Sequence, residues 1–273
     1  MKSFHGRVAV VTGAGSGIGR ATSELLATRG CDLAIVDMSE TAAEETKQLV
    51  ERAGRRATVH VLDVRDVDAL AALPSQVEDA HGAAHILVNN AGVTSAGSFE
   101  HESIDDLNWI VDINVWGVVH GCRFFLPLLK AAGEAHIVNL SSMVGLVGFG
   151  HNVSYSLSKG AVRSFTEALR GELITTNVGV TAVFPGAIRT NITNSARGDQ
   201  AGRLADMGRS RLAPLVMRPP SKVAGAIVRG IERNRPRVVV GPDAHFISAV
   251  SRIAPGRSGL LGRVTARAES PSR

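Results

Sequence analysis

Seven short, mostly apolar runs, each followed by a longer stretch of helical periodicity or by a loop, constrain this chain more than any other feature. The runs fall at residues 7–11, 32–36, 57–62, 85–88, 135–140, 178–183 and 237–240. The helical stretches fall near 17–29, 40–53, 66–80, 103–131, 153–176 and 221–233. Strands that are mostly continuous runs of Val, Ile and Leu are expected to be buried on both faces. Strands of that kind, alternating with helices, predict an α/β fold: a parallel sheet with helices on both sides. At 273 residues and 44% hydrophobic, the chain is long enough for one large core. Residues 1–254 are expected to form a single domain.

Two stretches break the rhythm. Residues 191–220 are rich in Arg, Ala and Gly and follow the sixth predicted strand. Open α/β sheets bind ligands beyond the carboxyl ends of their strands, so this stretch is a candidate substrate lid. Residues 255–273 carry many Gly, Pro, Ser and Arg and read as a flexible basic tail. Between the two, Phe246, Ile247, Val250, Ile253 and Ala254 share a helical face suited to core packing or a subunit contact.

Charge is unevenly placed. Residues 1–188 hold 14 Lys+Arg against 20 Asp+Glu, and residues 189–273 hold 16 against 5. The basic end could meet an anionic membrane or an acidic partner, but a solvated face is the plainer reading. No aromatic-interleaved basic stripe points to nucleic acid. No apolar stretch is long enough to span a bilayer, and no signal-peptide pattern precedes Val8. Cys31 and Cys122 lack metal-ligand or redox spacing and read as core residues, so no metal is expected and a reducing cytoplasm is the natural compartment.

The first strand ends in Thr12-Gly13-Ala14-Gly15-Ser16-Gly17-Ile18-Gly19 and leads into a helix. Glycines let the main chain turn tightly and approach a ligand, and the helix N-terminus offers free N–H groups to a pyrophosphate. The spacing departs from G-x-G-x-x-G, because Ile18 stands where that pattern needs glycine. Asp37 ends the second strand, where an acid can accept from both ribose hydroxyls of an adenosine. It would repel a 2′-phosphate, and neither Ser16 nor Met38 supplies a cation to hold one. NAD is therefore expected over NADP.

Tyr155 is the one tyrosine of the chain, and Lys159 follows four residues later. On a helix the two share a face. A lysine cation one turn from a phenol favours its ionised form and would make a usable base of it. Proton transfer at a hydroxyl is the chemistry this pair suggests. The alternative is a tyrosine packed at a helix edge beside a solvated lysine.

Taken together, these residues resemble the short-chain dehydrogenase/reductase family from about residue 5 to 243. The resemblance is carried by Thr12-Gly-x-x-x-Gly17-Ile-Gly19, Asp63-Val64, Asn89-Asn90-Ala91-Gly92, Asn114, Ser142, Tyr155-x-x-x-Lys159 and Pro185-Gly186 with Thr190. It implies a Rossmann-like three-layer fold with a seven-stranded parallel sheet. It implies hydride transfer between a nicotinamide and a carbinol or carbonyl carbon, on a small to medium, largely apolar alcohol or ketone. Tyr155 would be the acid/base, with Lys159 lowering its pKa and binding the nicotinamide ribose. Ser142 would hold the substrate oxygen, and Asn114 would hold a helix kink and a water near the lysine. Around the cofactor the resemblance places Gly13, Ser16, Gly17, Ile18, Gly19, Asp37, Asp63, Val64, Asn90, Ala91, Gly92, Pro185, Gly186, Ile188 and Thr190. It also implies a homotetramer or homodimer through the helices at 103–131 and 153–176. Met143, Val144, Leu146, Val147 and Phe149 are expected to wall an apolar pocket, with His151 close by. An NADPH-dependent ketoreductase and a non-catalytic cofactor-binding regulator are the competing readings.

Overall fold

The computed structural model describes residues 1–202, 206 and 217–253. Seven strands form one sheet: β1 (Val8–Thr12), β2 (Asp32–Asp37), β3 (Ala57–Val61), β4 (Ile86–Asn89), β5 (Ala135–Leu140), β6 (Val178–Pro185) and β7 (Arg237–Val240). All neighbours run parallel, in the order β3-β2-β1-β4-β5-β6-β7. The chain winds outward from β1 to β3, then restarts on the other side at β4. That reversal opens a crevice at the carboxyl ends of β1 and β4, where such sheets take their ligands.

The two faces of the sheet can be read from alternate residues of each strand. On one face Ala9, Val11, Leu33 and Ile35 pack with Leu26 of α1 (Gly17–Thr28) and with Val223, Ile227 and Ile231 of α7 (Pro220–Glu232). On the other, Val8, Val10, Ala34 and Val36 pack with Leu70, Leu73 and Val77 of α3 (Val67–His81). Phe125 and Leu129 of α5 (Gly117–Ala131) and Val162 of α6 (Val153–Glu172) complete that layer. Every residue of β1, β4 and β5 is buried, whereas the edge strand β3 is largely half-exposed. Cys31 and Cys122 are buried free thiols, as expected, and burial pushes both up to about 12.

Helix starts follow local chemistry. Ser39 caps α2 (Glu40–Arg52) by accepting from Ala42 N at 3.4 Å, and Asp66 caps α3 by accepting from Ala69 N at 3.0 Å. Gly82 ends α3 in the left-handed conformation, φ 81°. The single helix expected at 103–131 is instead α4 (Ile104–Val111), a π-helical turn (Asp112–Trp116) and α5. The extra residue of a π turn re-aims a side chain. Here it sends Asn114 inward, to bonds described below.

Of the candidate lid, residues 191–202 form a short helical turn (Asn191–Ser195) and a segment bridged to the loop after β4 through Ser95 and Arg197. Residues 203–205 and 207–216 of the lid, Ala254 of the apolar face and the tail at 255–273 lie outside the described residues. The apolar face at its C-terminal end lies on α8 (Pro242–Ile253), where it is only partly buried: Ile247 is in the core, while Phe246 and Ile253 face solvent. No helix among the described residues is long and apolar enough to cross a membrane.

Candidate active site

A cavity of about 680 Å³ sits over the carboxyl ends of the strands. Its wall begins at the glycine turn. Gly13 and Gly17 have φ of +61° and +52°, a region that L side chains rarely adopt. A Cβ on Gly13 would lie 2.9 Å from Ala91 Cα, and one on Gly19 would strike the Gly13 carbonyl. The turn is therefore pressed against its own helix and against the loop after β4. Ser16 precedes α1 without a side-chain cap, so the first N–H groups of α1, at Gly17 and Ile18, keep no side-chain partner and border the cavity. Donors of this kind suit an anion at a helix N-terminus.

Asp37 closes this end. Its carboxylate accepts from Gly15 N at 2.7 Å and from Ser39 N at 3.0 Å. Arg20, which borders the same turn, is spent on Glu45 Oε2 at 2.6 Å, on Thr46 and on main-chain carbonyls. Beyond β3, Asp63 and Val64 line the cavity beside Arg65. Arg65 Nε and Nη2 donate to Asp63 Oδ2 at 2.9 and 2.6 Å, which holds that carboxyl below its usual range.

Asn89 and Asn90 point to opposite tasks. Asn89 is buried beneath the site, donating to Asn139 Oδ1 at 2.8 Å. Asn90 borders the cavity with Ala91 and Gly92, but its amide nitrogen is committed to the carbonyls of Thr12 and Gly13, at 2.9 and 3.0 Å. The Thr12 hydroxyl answers by accepting from Asn90 N and Ala91 N, both at 3.0 Å. Asn90 thus ties the glycine turn to β4, a task its sequence position did not disclose. The Thr12 hydroxyl is a positioning group; the sequence motif included Thr12 but gave it no role.

The opposite wall carries Ser142, Tyr155 and Lys159. Of two consecutive serines, the Ser141 hydroxyl donates to Lys159 O at 2.7 Å, while the Ser142 hydroxyl accepts from Val144 N at 3.4 Å and lies beside the Tyr155 phenol. Lys159 is buried, with its ammonium donating to Leu140 O at 3.0 Å and lying 5.8 Å from the centre of the Tyr155 ring. An ammonium has three donors. The one hydrogen bond leaves capacity facing the cavity, where Gly92 has no side chain to fill the space: a Cβ there would lie 3.3 Å from Nζ. Burial depresses Lys159 to about 8.

Burial works against the lowering of the phenol expected from this lysine. Burial raises Tyr155 above its ordinary value, and the Ser142 hydroxyl only partly opposes it. Desolvation disfavours the phenolate.

Asn114 supports that wall. Its Oδ1 accepts from Val93 N at 2.8 Å, and its Nδ2 donates to Val93 O at 2.9 Å and to Ser158 Oγ at 3.0 Å. The π turn, the loop after β4 and α6 are thereby joined one residue from the lysine. Behind β6, Pro185, Gly186, Ile188 and Thr190 line the cavity. Thr190 packs on the glycine turn, 3.3 Å from where a Gly17 Cβ would stand. Asp243 of α8 accepts from Ala187 N at 2.7 Å and fills the space beside Gly186. It was not among the residues the sequence singled out, and nothing in its surroundings there marks it.

The apolar wall is built from other residues than expected. Leu146, Val147 and Phe149 pack on Ala182, Phe184 and Ile247, away from the cavity, and Val144 is buried. His151 does not line it either; its carbonyl accepts from Gly97 N at 2.9 Å. Val93, Trp109, Ile113, Ile188 and Ile192 form the wall instead. They come from the loop after β4, from α4 and its π turn, and from the segment after β6, so only folding brings them together.

The residues present fit a nicotinamide dinucleotide: a glycine cradle with helix N–H donors, an acid at the end of β2, and an underused buried ammonium beside a phenol. Comparison with known proteins agrees. The short chain dehydrogenase family profile matches residues 7–201. A Mycobacterium tuberculosis protein named as the oxidoreductase SadH is 38% identical over 258 residues, covering 93% of this chain and 92% of the relative. The C alpha-dehydrogenase of Sphingobium sp. is 32% identical over 96% of this chain and 91% of its own. The crystal structure of a short chain dehydrogenase/reductase from Burkholderia phymatum in complex with NAD superposes with a TM-score of 0.86 at 32% identity, covering 96% of this chain and 97% of the other. By sheet, site and likeness, the chain belongs to the short-chain dehydrogenase/reductase family, oxidoreductases that bind a nicotinamide cofactor and act on CH–OH groups.

Proposed function

We propose that this protein is an NAD-dependent dehydrogenase or ketoreductase for small to medium, largely apolar alcohols or ketones, with Tyr155 as its acid/base. The observation that carries the reading is the convergence of the Tyr155 phenol, the Ser142 hydroxyl and the Lys159 ammonium on one cavity that also holds the glycine turn. The nicotinamide, when bound, supplies or accepts the hydride.

The chain's own residues handle the proton and the geometry. Tyr155 donates its proton to a ketone oxygen, or takes one from an alcohol. Ser142 hydrogen-bonds the same substrate oxygen and stabilises the charge developing on it. Lys159 uses its remaining donors on the nicotinamide ribose and opposes negative charge at the phenol in the working complex. Asn114 positions Lys159's helix and the loop after β4. Gly13, Ser16, Gly17, Ile18 and Gly19 hold the pyrophosphate. Asp63 and Val64 face the adenine, Asn90, Ala91 and Gly92 the riboses, and Pro185, Gly186, Ile188 and Thr190 the nicotinamide. Val93, Trp109, Ile113 and Ile192 take up the apolar body of the substrate.

Preference for NAD rests on Asp37. It presents a carboxylate where a 2′-phosphate would lie, and Arg20 and Arg65 are each committed to an acid. The NAD held by the Burkholderia relative supports it. Assembly as a homodimer or homotetramer is favoured by an aromatic ladder that runs from the end of the π turn onto α5. There Trp116, about half exposed, stacks on His120 at 5.7 Å, and His120 on Phe124 at 5.8 Å.

The test is reduced-cofactor absorbance with NAD⁺ or NADP⁺ and a panel of secondary alcohols, diols and hydroxysteroids. NADH formation faster than NADPH formation is the expected result. Tight NAD binding with no turnover across the panel would contradict it.

A further inference from the structure

Arg197 is the one cation, among the described residues lining the cavity, that the reading above leaves without a task. The other charged residues on that wall are Asp37, Asp63, Arg65 and Lys159. The first three sit at the ends of β2 and β3, and Lys159 lies beside the phenol. Arg197 stands with Trp109 and Ile192 on the part of the wall assigned to substrate.

Its position is built. Arg197 N donates to Thr94 O at 3.3 Å, and its carbonyl accepts from Ala96 N at 2.9 Å, so the main chain is tied to the loop after β4. The guanidinium carbon lies 4.0 Å from the centre of the Trp109 ring. Stacking at this distance fixes the plane of the fork. Among the described residues one acceptor engages it: Nη1 donates to Asp106 Oδ1 at 3.0 Å. A guanidinium offers five N–H donors. The hydrogen bonds of the described residues leave Nε and Nη2 unassigned, on a side chain that lines the cavity. A planar fork with spare donors and little freedom left to lose is the group that best recognises a carboxylate by two parallel bonds.

We propose that Arg197 is a specificity-determining residue, and that the preferred substrates are oxo or hydroxy acids. Their carboxylate, remote from the reacting carbon, docks on this guanidinium while an apolar spacer lies along Trp109 and Ile113. This rests on the reading of the cavity as a dehydrogenase site and narrows its substrate class. Asp106 is the built-in competitor: it holds Arg197 in place between turnovers and yields donors to the incoming carboxylate.

The opposition between Arg197 and Asp106 gives a test with two signs. The probes are 4-oxopentanoate, 5-oxohexanoate, 6-oxoheptanoate and 4-acetylbenzoate, each beside its methyl ester. Reduction with NADH is measured on the full chain, and binding to the NADH complex is measured by thermal shift. The expected result is a higher kcat/KM for acids than for esters. In R197Q the acid-to-ester ratio should fall by about tenfold to hundredfold, the usual worth of hydrogen bonds to a charged group. R197K should recover part of it, keeping charge but not the fork. D106N should raise the ratio, because the competing charge is gone. A residue that merely holds the loop would move both variants the same way.

Equal use of acids and esters by the unaltered protein, or a ratio unmoved in R197Q, would overturn the proposal. So would R197Q and D106N shifting it in one direction. Acids that bind in an Arg197-dependent way without being reduced would leave the carboxylate site standing and defeat the hydride-transfer reading. Reduction without an acid preference would do the reverse, and neither binding nor reduction across the panel would overturn both.

Discussion

The two walls of the cavity work by opposite means. At the glycine turn, function lies in what the residues lack. Gly13 and Gly19 are packed so closely that a single methyl group would meet main chain, and the groups offered to a ligand are backbone N–H donors. At the Ser142–Tyr155–Lys159 wall, function lies in what the side chains carry, and the helix beneath them is regular. The first wall is intolerant of any added atom. The second tolerates an added atom at some scaffold positions, though not at Gly145, where a Cβ would lie 2.6 Å from Lys159 O. Gly160 shows the tolerance: it adjoins Lys159 on α6, yet a Cβ there would meet nothing within 4 Å.

The largest effect should come from the side-chain wall. Tyr155→Phe removes the proton donor and leaves the cradle intact, so kcat should fall by roughly a hundredfold to ten-thousandfold while cofactor affinity is kept. Near-normal turnover would break the contrast at once. Next comes Gly13→Ala, which forces a side chain into a left-handed backbone and against Ala91. A loss of about 1–3 kcal/mol of stability or an equivalent loss of cofactor affinity is expected, read by denaturant unfolding and NADH fluorescence. Asp37→Ala should narrow the preference for NAD over NADP by about tenfold in kcat/KM, the worth of a hydrogen bond to a charged acceptor. At the small end, Gly160→Ala should be neutral or stabilise by up to about 1 kcal/mol, since alanine is the better helix residue. A damaging Gly160→Ala would show that the second wall is as tight as the first.

Much of this was written in local sequence. The parallel sheet and its helices follow from mostly apolar runs, because burial on both faces of the central strands leaves little alternation to disguise them. The glycine turn and the Tyr155–Lys159 spacing were equally plain. What escaped depended on contacts between distant segments. The break in the long helix arises because Asn114 is drawn to the main chain of Val93, twenty-one residues away. The role of Asn90 depends on Thr12 and Gly13 across the sheet. Met143 to Phe149 are apolar enough to wall a pocket, but the packing of α8 and β6 claims Leu146, Val147 and Phe149. Arg197 lay unmarked in an arginine-rich stretch until the fold set it over Trp109.

The sign of the phenol's pKa shift escaped for the same reason. Spacing placed the lysine near the tyrosine, but only the packed wall shows the desolvation that raises the phenol. Burial likewise depresses Lys159, to about 8. A cofactor carrying positive charge on its oxidised ring would add the cation that the phenolate lacks. Activation of Tyr155 is then a property of the complex and not of the chain alone.

With one tyrosine in the chain, that statement can be tested directly. Phenolate absorbance followed against pH reports Tyr155 alone. The account predicts a midpoint above 10 in the free protein and a clear fall when NAD⁺ is bound. A midpoint that stays above 10 in the NAD⁺ complex would contradict the assignment of Tyr155 as the acid/base.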